Sequence, residues 1–252
     1  MSSETGIVRP VTAGRMGNFL FQAATSIAYA IDHGMPFSLP NRTKDKFHNP
    51  VYLQHLVNPS YNEQKERILI KEQGHPFQKL PWEESWRDKN IELQGWWQTE
   101  KYFKHHRDEI LRLFQYPWEQ LSGFVSVHVR RGDYLRLRRK HPHVTKGWIE
   151  NAMKLFPGYH FIVFSDDIDW CKMVWRGRKD ITFSEKRGIE GDLVYMHTCE
   201  HHICSASTFS WWGAWLNHNK NKKIIMPARW FTPEAEARHD TRDIVPMDWT
   251  RI

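Results

Sequence analysis

The sequence predicts an α/β fold whose second half is a doubly wound parallel sheet, and three features carry that prediction. From Phe124 onward, short apolar runs alternate with helical patterns, as parallel βαβ units require. The run Phe124, Val125, Val127, Val129 breaks abruptly into Arg130-Arg131-Gly132-Asp133. Two later strand ends, Ser165 to Asp167 and Ser205 to Ser210, also carry polar groups. In a doubly wound sheet these ends converge on one edge, and ligands bind just beyond the carboxyl ends of the strands.

The elements follow in order. Gly6 to Thr12 reads as a short strand, with Pro10 fitting an edge or an interruption. Ala13 to Asn18 forms a glycine-containing turn, and Phe19 to His33 is helical, with Phe19, Ala23, Ser26, Ile27 and Ala30 on one side. Gly34 and Pro36 stop that helix. Between Leu39 and Ser85 the pattern is weak, and Arg67 to Lys71 is its one strand. Ile91 to Gln98 is a further strand ending in aromatics, and a helix runs from about Thr99 to Phe114. Tyr116-Pro117-Trp118 breaks that helix, which places a domain boundary after residue 117: 1–117 and 118–252. Strand Phe124–Val129 leads through a basic loop to a helix over 147–156. Strand 159–164, helix 168–174, strand 181–183, helix 191–200, a strand ending at Ile203, a tryptophan-rich helix over 210–217 and strand 223–226 complete the chain.

Composition narrows the partners. The 252 residues are 40% hydrophobic, enough for a packed core, and carry a net charge of +7. That charge suits an anionic partner: a nucleic acid, a membrane surface or a nucleotide-activated substrate. Thirteen tryptophans and eight tyrosines fill the core for the most part, and such rings also suit sugar or base stacking. Cys171, Cys199 and Cys204 are too few and odd in number for a disulfide scaffold. The apolar window Phe19–Ile31 is too short to span a bilayer, so the expectation is a soluble cytoplasmic protein of microbial or viral type.

The strand ends define the chemistry. A guanidinium is a permanently charged fork of five donors that suits phosphate oxygens. Asp133 is placed to hold one arginine while the other faces a ligand. Gly14 to Asn18 joins a strand to a helix N-terminus, where exposed N–H groups favour anions, and it is equally a plain tight turn. Ser207 to Ser210 reads either as a phosphate contact or as an N-cap, and local pattern favours the cap. Asp167 and Asp169 form an Asp-x-Asp that metal sites also use, but chance accounts for the spacing better. Cys199, His201, His202 and Cys204 lack paired zinc spacing. The basic run Leu135 to Lys140 lacks any recognisable nucleic-acid module.

In sequence order, several segments together resemble the α-1,2-fucosyltransferase family: Gly14 to Ala24, Gln94 to Phe103, His128 to Tyr134, Phe164 to Asp167, His201 to Leu216, and Met226 to Phe231. The resemblance implies two Rossmann-like domains facing a cleft (a GT-B-like architecture), with 1–117 on the acceptor side and 118–252 binding GDP-fucose. It implies transfer of L-fucose to the 2-hydroxyl of a galactose-type glycan residue, with inversion, without an obligatory metal or other cofactor, and without a nucleic-acid partner. By similarity to the wider fucosyltransferase superfamily, Arg130 contacts the β-phosphate and His128 lies by the nucleotide. Asp166 or Asp167 accepts from guanine, and Ser207, Thr208 and Phe209 support the diphosphate. Asn18, with the backbone of Arg15, Met16 and Gly17, approaches the reacting sugar. Arg15, Phe19 and Ala206 depart from the family's usual glycine, glutamine and asparagine, and the N-terminal half is short; these changes bear on acceptor specificity more than on donor use. No base for the acceptor proton stands out, although Glu100 and Asp133 are conceivable. The alternatives are a related transferase with another nucleotide sugar and an inactive basic protein that binds nucleotide or nucleic acid.

Overall fold

The structure is a computed structural model that describes residues 5–40, 51–57, 61–117, 119–185 and 187–252. Trp118, at the expected domain boundary, lies outside the described residues. Contacts divide the chain into two compact units, Met1–Tyr116 with Arg242–Ile244, and Pro117–Thr241 with Val245–Ile252.

The first unit holds β1 (Val8–Val11), α1 (Met16–Asp32), β2 (Arg67–Lys71), β3 (Asn90–Gln94) and α2 (Arg107–Phe114). The strands form a parallel sheet in the order β1-β3-β2, so Pro10 sits in an edge strand, where a missing N–H is tolerated. Helix α1 is buried on every side from Phe19 to Ala30, as expected of a core helix rather than a surface one. It stops where Gly34 takes φ +59 and the N–H groups of Gly34 and Met35 bond back to Ile31 and Ala30.

Three expectations shift here. Helix α1 starts at Met16, so Met16, Gly17 and Asn18 form its first turn instead of the loop before it. Strand β3 ends at Gln94, before the aromatics. The helix expected from Thr99 is two 3₁₀ turns, Glu100–Tyr102 and Lys104–His106, ahead of α2; Phe103, at φ −142, interrupts helical geometry between them.

The second unit holds β4 (Leu121–Val129), α3 (Lys146–Met153), β5 (His160–Ser165), α4 (Ile168–Val174), β6 (Ile181–Phe183), α5 (Gly188–Thr198), β7 (Cys199–Ile203), α6 (Thr208–Trp215), β8 (Ile224–Met226), α7 (Pro233–Glu236) and β9 (Thr250–Arg251). All six strands are parallel, in the order β6-β5-β4-β7-β8-β9. This is the doubly wound arrangement expected from the alternation. Elements α7 and β9 were not expected. Val125, Val127, Val129, Phe161, Val163 and Ile203 fill the sheet's core. Gly213 lets α6 lie close to α5, since a Cβ there would meet Met196 Sδ at 2.3 Å. No helix among the described residues is long and apolar enough to cross a membrane.

Candidate active site

Counted from β4, the chain builds outward to β5 and β6, then returns to the other side of β4 through β7, β8 and β9. The order therefore reverses between β4 and β7, and the crevice beyond their carboxyl ends is where this fold binds ligands. Ser205 bridges the two strand ends there. Its hydroxyl donates to the His128 carbonyl at 2.7 Å and accepts from the Arg130 N–H at 3.0 Å. The sequence marked Ser205 only as part of a polar strand end; its two backbone partners lie more than seventy residues away, at separations of 75 and 77.

Arg130 leaves β4 at this point and is held on both sides of its fork. Nη2 pairs with Asp133 Oδ1 at 2.5 Å, and Nη1 with Asp166 Oδ2 at 2.8 Å. Its guanidinium also lies 5.2 Å from the Tyr134 ring centroid, and the Tyr134 hydroxyl donates to the Ala206 carbonyl. Two carboxylates set the plane of the guanidinium, and a five-donor group retains further N–H bonds for an anion. Asp166 also accepts from the Arg131 N–H at 2.9 Å. That carboxylate fits only because residue 132 is glycine: a Cβ there would lie 2.3 Å from Asp166 Oδ2.

Arg131 does not take the ligand-facing role that the motif offered it. Its Nε donates to Asp167 Oδ2 at 2.9 Å, and its guanidinium stacks 3.7 Å from the Trp170 ring centroid. Ser165 completes the turn, donating to the Val129 carbonyl and accepting from the Asp167 N–H. Asp166 and Asp167, which the resemblance links to guanine, are thus both engaged with arginines. The Asp-x-Asp segment is occupied in the same way at Asp167.

His128 is buried, and its Nδ1 has no hydrogen-bond partner among the described residues. Burial, reinforced by the Arg130 charge, pushes its pKa down to about 3, so the imidazole is neutral at ordinary pH. It packs 5.5 Å from the ring of Phe209. Ser207 caps α6, accepting from the Phe209 N–H at 3.4 Å, so the capping reading of this serine holds. Thr208 and Phe209 open the helix that follows. His128, Arg130, Asp166, Asp167 and Ser207 to Phe209 therefore gather around one strand reversal.

The first unit presents its own polar edge beyond β1 and β3. Arg15 is the extended N-cap of α1 without a side-chain cap bond, and Met16, Gly17 and Asn18 follow it. Asn18 Oδ1 accepts from Gln98 Nε2 at 3.0 Å. Gln22, inside the helix, accepts from the Ala13 N–H and donates to the Gly95 carbonyl, both at 3.0 Å.

The remaining ligand-rich patch is structural. His202 is buried between Ser126 Oγ at 2.7 Å and Asn217 Nδ2 at 2.8 Å. His201 faces Tyr159 and accepts from the Lys223 N–H. The three cysteines are free and buried. Among the described residues, metal-ligand atoms converge only at Asp32, His105 and His106, at the opposite end of α1 from Asn18.

A parallel sheet with this strand order and an oriented arginine at its switch point defines a doubly wound α/β protein with an anion-suited site. The sequence profile of glycosyl transferase family 11 matches residues 87–252, and the chain belongs to that family. Over 185 residues it is 32% identical to an α-1,2-colitosyltransferase of Escherichia coli, covering 65% of this chain and 63% of the relative. Over 247 residues it is 26% identical to galactoside α-(1,2)-fucosyltransferase 2 of Oryctolagus cuniculus, covering 81% of this chain and 65% of the relative. The chain thus spans a little under two thirds of the length of these relatives. The crystal structure of the fucosyltransferase NodZ from Bradyrhizobium has a TM-score of 0.50 over 83% of this chain and 92% of that one. At 13% identity this is likeness of fold alone.

Proposed function

We propose that the protein transfers L-fucose from GDP-fucose to the 2-hydroxyl of a galactose-type residue on a glycan, with inversion and without an obligatory metal. The observation that carries this reading is Arg130, oriented by Asp133 and Asp166 at the switch point of the sheet. When the bond from fucose to the diphosphate breaks, negative charge collects on the β-phosphate oxygens. A guanidinium already fixed at that place stabilises the charge without reorganising. His128, neutral and buried, lines the nucleotide side of the site, and the first turn of α6 supports the diphosphate through backbone N–H groups. Asp133 pairs with Arg130 and serves to hold it; the acceptor oxygen bonds to fucose C1 as the bond from C1 to the diphosphate breaks, GDP leaves, and the hydroxyl proton passes to solvent.

Membership of family 11 supports the transfer class. The relative named as a galactoside fucosyltransferase supports fucose and a galactose-type acceptor; Asn18 approaches the reacting sugar in the same proposal. A GT-B-like architecture, with 1–117 as the acceptor domain and 118–252 as the donor domain, belongs to the same proposal. The relative named as a colitosyltransferase makes the donor sugar the first point to test.

The test offers the purified protein GDP-fucose, GDP-mannose, UDP-galactose and UDP-glucose, with lactose as acceptor and EDTA present. GDP release from GDP-fucose alone, with an α-1,2-fucosylated product identified by NMR, is the expected result. Use of a UDP-sugar, or activity that EDTA abolishes and Mg²⁺ restores, overturns the reading.

A further inference from the structure

Beyond β3, the chain makes a turn that the reading above does not use. Trp97 adopts φ +54, a left-handed backbone that a bulky side chain rarely takes. Such strain persists only where surrounding contacts enforce it, and it clusters at functional sites. The enforcing group is Glu72. Its Oε2 accepts from the Trp96 N–H at 2.6 Å and its Oε1 from the Trp97 N–H at 2.9 Å. The Glu72 N–H in turn donates to the Gln94 carbonyl at 2.9 Å. Gly95 makes this approach possible, because a Cβ there would fall 2.4 Å from Glu72 Cβ. Gln22 holds the Gly95 carbonyl from the other side.

The turn sends the two indoles in opposite directions. Trp97 is fully buried, whereas Trp96 is 40% exposed. The exposed ring lies against Gly14, where a Cβ would meet Trp96 Cζ3 at 3.1 Å and Asn18 Nδ2 at 2.4 Å. An open indole, the Asn18 amide, which buried Gln98 holds through its Oδ1, and a glycine that keeps ring and amide close therefore share one edge of the three-stranded sheet. A flat apolar face beside a hydrogen-bonding amide matches a pyranose, whose ring C–H groups stack on indole while a hydroxyl bonds the amide. Galactose, with three C–H groups on one face, fits such a platform well.

We propose that Trp96 is the stacking platform for a galactose-type ring of the acceptor glycan, and that Glu72 is the positioning residue that holds the indole outward. The proposal rests on the transferase reading for its choice of sugar. It names a binding surface within the first unit and requires nothing of the nucleotide site.

The experiment is a lactose titration of protein carrying ¹⁵N-labelled tryptophan. The indole N–H resonance absent from W96F identifies Trp96. In the wild type this resonance moves saturably with lactose. W96A weakens lactose binding about tenfold, and W96F, which keeps a ring, weakens it less. In E72Q the Trp96 resonance is displaced before any sugar is added, and the lactose dissociation constant rises several-fold; E72D restores part of the affinity. A Trp96 resonance that ignores saturating lactose, or unchanged affinity in W96A, overturns the platform. An unmoved resonance and unchanged affinity in E72Q remove Glu72 from it. GDP-fucose turnover by the wild type is measured separately: its absence alongside a responsive Trp96 defeats the donor reading and leaves the platform standing, and the converse defeats only the platform.

Discussion

Arg130 Nη1 lies 2.8 Å from Asp166 Oδ2, and that pairing joins the ends of β4 and β5 beside the reversal point between β4 and β7. Both groups are largely shielded, with side chains 17% and 27% exposed, and each has a second partner. The guanidinium is therefore oriented before any ligand arrives. Pre-set donors of this kind act on developing charge with little reorganisation.

Replacing Asp166 with asparagine keeps an acceptor for the Arg131 N–H but removes the charged partner of Arg130. The difference between a charged and a neutral hydrogen bond is about 1–2 kcal/mol. Turnover of D166N is expected to fall roughly 5- to 30-fold. Steady-state GDP release checks this, and wild-type turnover contradicts it.

Gly132→Ala tests the same pairing from the backbone side. Its Cβ would fall 2.3 Å from Asp166 Oδ2, so the carboxylate must leave Arg130. The variant is expected to lose at least as much turnover as D166N. Combining the two should cost little more than either alone, because residues acting on one contact are not additive. Full additivity in that double-mutant cycle contradicts the account.

Acid should destabilise the fold through its buried histidines. Burial lowers the pKa of His128 to about 3, of His197 to about 4, and of His202 well below 6.5. In the unfolded chain each takes up a proton near 6.5, so the unfolded state binds more protons between 6.5 and the folded values. Their contribution is complete above 6.5 and is lost as the pH falls toward 4 and below. Between pH 6.5 and 5 each histidine is expected to remove up to about 2 kcal/mol of stability. Urea denaturation at pH 7.5 and pH 5 measures the change, and equal midpoints contradict it.

Much of the second unit was legible in the sequence because its strands are buried on both faces and stand out as apolar runs. That Asp133 holds one of the two arginines was legible too, since all three residues lie in one short segment, but not that the arginine held is Arg130. The Asp166–Arg130 pair joins different strand ends, and pattern alone does not reveal that Gly132 is small to admit Asp166. The start of α1 was misplaced because Gly14 and Gly17 read as one turn running to Asn18, whereas Gly17 lies inside the first turn of the helix. There the Asn18 side-chain oxygen accepts from Gln98, 80 residues away. Glu72 gave no signal, standing in a poorly patterned stretch, and its role emerges only where β2 and β3 end side by side. β9 is two residues long, too short for any alternation to mark.

The most direct test of the central claim compares GDP release from GDP-fucose by the wild type and by Arg130→Ala, with EDTA present and folding checked by thermal denaturation. Loss of the β-phosphate donor is expected to lower turnover about 10²–10³-fold, or roughly 2.7–4 kcal/mol, with a much smaller change in stability. Near-wild-type turnover in folded R130A would contradict the assignment of Arg130 to the leaving diphosphate.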